Sequence, residues 1–325
     1  MKVLITGSSG FIGSALLRHL VKKGLTVKGI DIQEPRYREH FPLWEKADIL
    51  DIAAMRKVFS DFQPTHLVHL AARTDLGLDS NLDCFKANTV GVKNILEICM
   101  ESQSLQMAVF ASTILVAEVG YLPKADDDYH PTTPYGESKV MGEKIIRGMP
   151  ETANFTWCII RPTSIWGPGY GSHYINLFLT IAKGRYFHPG KANNLVTYGY
   201  IGNCVYQIEK LLYASPDEID NKTFFIGDYW QTRLKEWVQM IHQQLGRVKV
   251  YTLPDYLIRI IAYAGDVLWK YGWKNVPMTT FRLRNMLTDR LYETKSLEAI
   301  TGELPYSQES AVQETISWLR ENGEI

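Results

Sequence analysis

Three observations predict a doubly wound α/β fold: a parallel sheet covered on both faces and followed by a smaller, mostly helical part. Short runs rich in β-branched and aromatic residues (KVLITG, LTVKGID, THLVHLAA, QMAVFAS, WCIIRP) alternate with amphipathic stretches of helical period. Each run ends in small or polar residues, as strands do where they turn into helices. A glycine-rich octet, TGSSGFIG, separates the first run from the first amphipathic stretch. Strands alternating with helices imply right-handed crossovers and therefore parallel order.

The elements follow in order. The first strand begins at once in MKVLITG, without a basic region, apolar segment or cleavage site ahead of it, so a cytoplasmic protein is expected. Helices are predicted from Phe11 to Lys23, Ala53 to Phe62, Asp83 to Ser102 and Pro134 to Gly148. After Gly167 the pattern loosens into the turn-rich GPGYGSHY, and NKTFFIG, ending at Gly227, reads as a strand returning to the sheet. The remainder is helical and closes on SAVQETISWLREN. This places a first domain at 1–166, with a returning segment near 200–230, and a second at 167–199 and 231–325. No repeat or low-complexity linker separates them, so they are expected to pack together. The stretch from Leu257 to Trp273, LIRIIAYAGDVLWKYGW, is interrupted by Arg259, Asp266 and Lys270. It reads as an amphipathic core or capping helix, with a helix lying on a membrane as the other reading.

Composition removes several classes of function. The 325 residues carry 35 Lys plus Arg against 35 Asp plus Glu, so no net field draws nucleic acid or an anionic membrane surface, and neither partner is expected. Cys84, Cys99, Cys158 and Cys204 are scattered, with no C-x-x-C pair and no metal spacing. They read as packed thiols in a reducing compartment, and no metal is expected.

The octet has the context that gives a glycine pattern meaning, a strand before it and a helix after it. Small residues let the backbone approach a pyrophosphate held at the helix N-terminus, so Gly7, Gly10, Phe11, Ile12 and Gly13 are candidate cofactor contacts in a Rossmann domain. The next strand ends at Asp31, whose carboxylate suits the two ribose hydroxyls and repels a 2′-phosphate. That favours NAD over NADP, although Arg36 and Arg38 lie close by.

TPYGESK sets Tyr135 and Lys139 at i and i+4 on one helix face. A neighbouring ammonium stabilises phenolate and lowers the tyrosine pKa, which suits Tyr135 to take the proton of an alcohol as its hydride leaves. Tyr206 and Lys210 repeat the spacing in YQIEK, but with no hydroxyl-bearing strand end upstream, so Tyr206 reads as a packing residue. FASTILVA precedes Tyr135 and supplies Ser112 and Thr113.

Together TGSSGFIG, Asp31, ADI at 47–49, HLAA at 69–72, NTVGVKNILE from Asn88, FAST, PYGESK and IIRPTSIWGPG resemble the extended short-chain dehydrogenase/reductases, the superfamily of NAD-dependent nucleotide-sugar epimerases and dehydratases. The resemblance implies a catalytic trio of Thr113, Tyr135 and Lys139. It further implies that NAD is contacted by Asp48, Ile49, Leu70, Ala71, Ala72, Asn88 and Pro162 besides the loop, with Tyr135 and Lys139 also against the cofactor. Sugar dehydratases of this kind carry Asp and Glu directly after the catalytic Thr, where this chain has Ile114 and Leu115. Elimination needs those carboxylates, so hydride transfer alone is expected, as in 4-epimerisation through a transient keto-sugar.

On the substrate side the resemblance points to Ser112, Thr113, Asn176, Arg282 and Arg284, and the loop residue His173 is a candidate second acid/base near the substrate. It strains at NNLVTYGYIGNCV, where Val196 stands near an expected arginine and Gly202-Asn203 replace acids. A hydroxysteroid-type or other alcohol dehydrogenase, with Trp230, Trp269 and Trp273 as pocket candidates, is therefore the alternative. A non-catalytic NAD-binding sensor is a third. The expected enzyme is a UDP-hexose 4-epimerase-like homodimer, paired through the helices from Asp83 and Pro134 and serving surface-polysaccharide supply.

Overall fold

The computed structural model describes residues 1–325 except 75–80, 151, 170–172, 191–192, 247–250, 274–275 and 277. In chain order the first half contains β1 (Lys2–Thr6), α1 (Phe11–Lys22), β2 (Thr26–Asp31), β3 (Trp44–Lys46), α2 (Ile52–Phe62), β4 (His66–His69), α3 (Val92–Glu101), β5 (Met107–Ala111), α4 (Pro134–Arg147) and β6 (Thr156–Pro162). Then come β7 (Ser164–Trp166), α5 (His173–Ala182), β8 (Phe187–Pro189), β9 (Leu195–Val196), β10 (Tyr198–Tyr200), α6 (Ile201–Tyr213), α7 (Pro216–Ile219), β11 (Lys222–Ile226), β12 (Thr232–Arg233) and α8 (Leu234–Gln244). The C-terminal part holds β13 (Tyr251–Leu253), α9 (Asp255–Lys270), α10 (Thr280–Leu287), α11 (Lys295–Thr301) and α12 (Gln308–Glu321).

Seven strands form one parallel sheet in the order β11-β6-β5-β4-β1-β2-β3. The order reverses between β1 and β4, so the crossovers on either side of that boundary run to opposite faces and leave a crevice at the carboxyl ends. Period-two alternation divides the core: Val3, Ile5, Val68, Val109 and Ile160 face α1 and α6, whereas Leu4, Leu67, Ala108, Phe110 and Ile159 face α2 and α3. As the sequence predicts, β11 returns to the sheet and pairs with β6.

Three readings change. The three-residue edge strand β3 carries no alternating pattern and was not expected. The long helix expected from Asp83 is broken into a 3-10 turn at Leu82–Phe85, a π turn at Ala87–Gly91 and then α3. The π turn carries buried Asn88, whose amide donates to the Arg73 carbonyl (2.9 Å) and Ser138 Oγ (2.9 Å) while its oxygen accepts from the Arg73 amide (2.8 Å). Finally, α9 is no core helix: only Ile258, Ala262 and Gly265 are buried along it.

The YIGN variant has a structural explanation. Buried Asn203 donates to Asp228 (2.7 Å) and the Tyr306 carbonyl (3.0 Å) and accepts from the Tyr306 amide (3.1 Å), so the acid in this cluster comes from after β11. Asp228 also accepts from the Tyr200 amide at 3.0 Å. Burial pushes its pKa up to about 7, against hydrogen bonds from Asn203 and Tyr200 that favour the charge. The folded state therefore holds a proton that the unfolded chain releases near pH 4, and stability falls as pH rises from about 4 to about 7. Asp228→Asn is expected to remove that slope, a few kcal/mol across the window, as measured by urea midpoints at pH 5 and pH 8.

Candidate active site

β5 ends at Ala111, and Thr113 caps the following 3-10 turn, Ile114–Val116, its Oγ1 accepting from the Leu115 amide at 3.2 Å. α4 starts with Pro134 in its first turn and Thr133 as cap, an arrangement that needs no amide at Pro134. Gly136 lets the two turns touch, because a Cβ there would lie 2.2 Å from the Leu115 carbonyl. That close approach brings Thr113 near enough to the Tyr135 phenol to act on its proton affinity. One turn later Lys139 Nζ donates to the Ala111 carbonyl at 2.7 Å.

All three side chains are buried, and burial sets their proton affinities. It pushes the Tyr135 phenol up to about 12, while the Thr113 hydroxyl pulls the other way. It presses Lys139 down to about 8, against the carboxylate of Glu143, which favours the ammonium. A positive charge seated over this site would lower the tyrosine further, the direction catalysis by phenolate requires. Ile114 and Leu115 put only hydrocarbon beside Thr113. Glu143 is held by buried Arg161, with Nε–Oε1 2.9 Å and Nη2–Oε2 2.7 Å.

The glycine loop fits a dinucleotide. Gly7 takes φ +72°, and a Cβ would sit 2.6 Å from the Ala71 amide; at Gly13 it would sit 2.1 Å from the Gly7 carbonyl. The strand, loop and HLAA segment are thus packed backbone to backbone, with the Leu70 amide on the Thr6 carbonyl (3.1 Å) and the Ala71 amide on Thr6 Oγ1 (3.2 Å). α1 opens at Gly10 without a side-chain cap, leaving Phe11 and Ile12 at an anion-favouring helix end. Asp31 accepts from the Ser9 and Gln33 amides (3.0 and 2.9 Å), and a carboxylate retains lone pairs for ribose hydroxyls. Across the loop, Arg36 donates to the Ser9 and Gly169 carbonyls (2.9 and 2.8 Å). Exposed Asp48 and buried Ile49 flank the same edge, and Pro162 ends β6. Asn88 is a brace beside α4, its amide and oxygen engaged with backbone and Ser138.

The substrate candidates are less gathered. Ser112 Oγ is buried beside Thr113 without a hydrogen-bond partner. Asn176 is exposed on α5, and the side chain of His173 lies outside the described residues. Arg282 donates to the Val276 carbonyl in its own connection, and Arg284 pairs with Glu118 at 2.8 Å. Tyr206 packs elsewhere, its hydroxyl on the Thr301 carbonyl at 3.0 Å. Trp230 and Trp269 are half-buried and Trp273 is exposed.

The model of the NAD dependent epimerase/dehydratase family matches residues 3–227. The chain belongs to this family. Among the family's curated proteins it is 25% identical, over 97% of its length and 94% of theirs, to the N-acetyl-alpha-D-glucosaminyl-diphospho-ditrans,octacis-undecaprenol 4-epimerase of Escherichia coli O157:H7. Its fold matches UDP-glucose 4-epimerases from Thermotoga maritima, with UDP-glucose (TM-score 0.75, 20% identity, 99% of both chains), and from Thermus thermophilus, with NAD (TM-score 0.73, 21% identity, 98% and 99%).

One feature of this family member escaped the sequence. Arg290 is in register beside Val196, with its amide on the Leu195 carbonyl (2.9 Å) and its carbonyl on the Thr197 amide (2.8 Å). Its guanidinium reaches Ser164 Oγ (3.4 Å) and lies 5.9 Å from the Tyr198 ring centre. An arginine is thus present next to the position where the sequence lacks one. No linear spacing signals it, because the pairing joins segments far apart in the chain.

Proposed function

We propose that the protein is an NAD-dependent 4-epimerase of a sugar activated through a diphosphate, with a nucleotide sugar as the first candidate. The observation that carries this reading is a Thr113–Tyr135–Lys139 trio whose neighbouring positions, Ile114 and Leu115, carry no acid. Tyr135 Oη takes the proton of the sugar hydroxyl, Thr113 Oγ1 holds the same oxygen, and Lys139 supplies positive charge beside the phenolate. The nicotinamide, when bound, accepts the hydride and returns it. Without a carboxylate at 114 or 115, proton removal at the adjacent carbon and loss of its neighbouring hydroxyl are unserved, which leaves chemistry that needs hydride transfer alone, as epimerisation does. Asp31 supports NAD as the dinucleotide, and Arg290 supplies a cation for a diphosphate oxygen.

A second substrate form is favoured by the full-length likeness to the undecaprenol-diphosphate sugar epimerase, namely a sugar diphosphate carried on a lipid. NMR product analysis of the purified protein, with a panel of UDP-, GDP- and dTDP-hexoses and a polyprenyl-diphosphate N-acetylhexosamine, tests both. Epimer formed over many turnovers without added cofactor is expected. Turnover of an alcohol or ketone only when NAD(H) is supplied would replace the epimerase reading with that of a dehydrogenase.

A further inference from the structure

We propose that α9 is a membrane-docking helix that lies in the interface of an anionic bilayer. Around its axis, at about 100° per residue, the side chains sort into three sectors. Ile258, Ala262 and Gly265 face α10, so closely that a Cβ on Gly265 would meet the Met278 carbonyl at 1.8 Å. Asp255, Arg259, Asp266 and Lys270 form a narrow polar stripe. Roughly 160° of the remaining circumference is apolar and faces outward. Tyr256 is 64% exposed, Ile260 62% and Tyr263 68%, with Ile261, Val267 and Leu268 between and beside them. A soluble helix turns its widest apolar arc inward; this one turns the narrow arc inward and leaves the wide one uncovered.

The pattern of residues specifies the occupant. Ile260, Ile261, Val267 and Leu268 share the exposed arc with Tyr256 and Tyr263, and Tyr271 (82% exposed) and Trp273 (69%) follow directly on the end of the helix. Tyrosine and tryptophan rings set among exposed aliphatics suit the headgroup-to-acyl boundary. Charge agrees. Asp266 is turned onto the Thr280 amide (3.1 Å), while Arg259 and Lys270 are exposed on the stripe bordering the apolar arc together with Asp255, which is exposed at the helix start. The helix therefore offers basic groups to anionic headgroups although the chain as a whole is neutral. Among the described residues no helix is long and apolar enough to cross a membrane, so α9 lies on the surface. The proposal takes up the other reading of this stretch, a helix lying on a membrane, which net charge alone did not favour.

The docking face is joined to the candidate active site. Arg284 of α10 pairs with Glu118, and Thr288 packs on Gly120, both on the segment that follows the Thr113 turn. Through α10, α9 is thus linked to the segment that follows the Thr113 turn.

Sedimentation with phosphatidylglycerol/phosphatidylcholine vesicles tests the proposal without substrate, and so independently of the reaction. The full chain is expected to bind these vesicles and to bind pure phosphatidylcholine more weakly. Ile260→Glu with Val267→Glu should lower the partition coefficient by at least about tenfold. Arg259→Gln and Lys270→Gln should each lower it about fivefold on anionic vesicles. All four positions are exposed, so circular dichroism and thermal midpoint should match those of the parent chain. Failure of the parent chain to bind vesicles, or equal binding by the double glutamate variant, would overturn the proposal. A vesicle-free dimer that the same variant splits in sedimentation velocity would also overturn it and assign the face to a second copy.

Discussion

Tyr135→Phe is expected to lower kcat by about 10³-fold or more while leaving the NAD content of the purified protein unchanged, because the substitution deletes only the atom that moves the proton. The ring remains wedged beside Phe85, 6.1 Å away between centroids, so the pocket keeps its shape. Stopped-flow product formation and the absorbance of extracted cofactor separate the two effects. Lys139→Met gives the complementary result through pH. Removing the ammonium raises the pKa of the phenol, so the ascending limb of kcat/KM should move to higher pH, while a merely structural lysine would leave the limb in place. Turnover by Tyr135→Phe at the parental rate would remove the mechanism.

Glu143→Gln is expected to cost on the order of 3–5 kcal/mol in urea unfolding, the largest stability loss foreseen for a single isosteric change in this chain. Both Glu143 and Arg161 are 1% exposed, and Tyr129 donates to Glu143 at 2.9 Å, so the variant leaves a buried guanidinium without the carboxylate that pairs with it. Replacing the pair together, as Glu143→Leu with Arg161→Met, should recover most of the loss, since it removes the desolvated charge along with its partner. Either change deprives Lys139 of the carboxylate that supports its ammonium, so the lysine pKa should fall below about 8 and narrow the active pH range. A double variant no more stable than Glu143→Gln would refute this account of the pair.

Much of the molecule was legible because its signals are local. The short runs rich in β-branched and aromatic residues located six of the seven sheet strands, and the octet announced both the first crossover and the dinucleotide loop. Tyr135 and Lys139 were legible for the same reason, since four residues of helix fix their shared face. Thr113 needed one further step, its place after a strand end, and the structure supplies the contact through Gly136. Asn88 was legible as a marked position but not as a brace, because its partners, Arg73 and Ser138, lie on other elements.

What the sequence determined by itself is the part encoded over a few residues: the alternation that makes the sheet, the glycines that allow backbone to touch backbone, and the spacing of the proton-transfer pair. Tertiary structure alone decided the rest. It set Arg290 beside Val196, paired Asn203 with Asp228, buried Glu143 against Arg161, and left the apolar arc of α9 facing outward. Each of these depends on which distant segment is brought alongside. Periodicity states that a helix has an apolar face, and only the packing of the remaining chain determines what covers it.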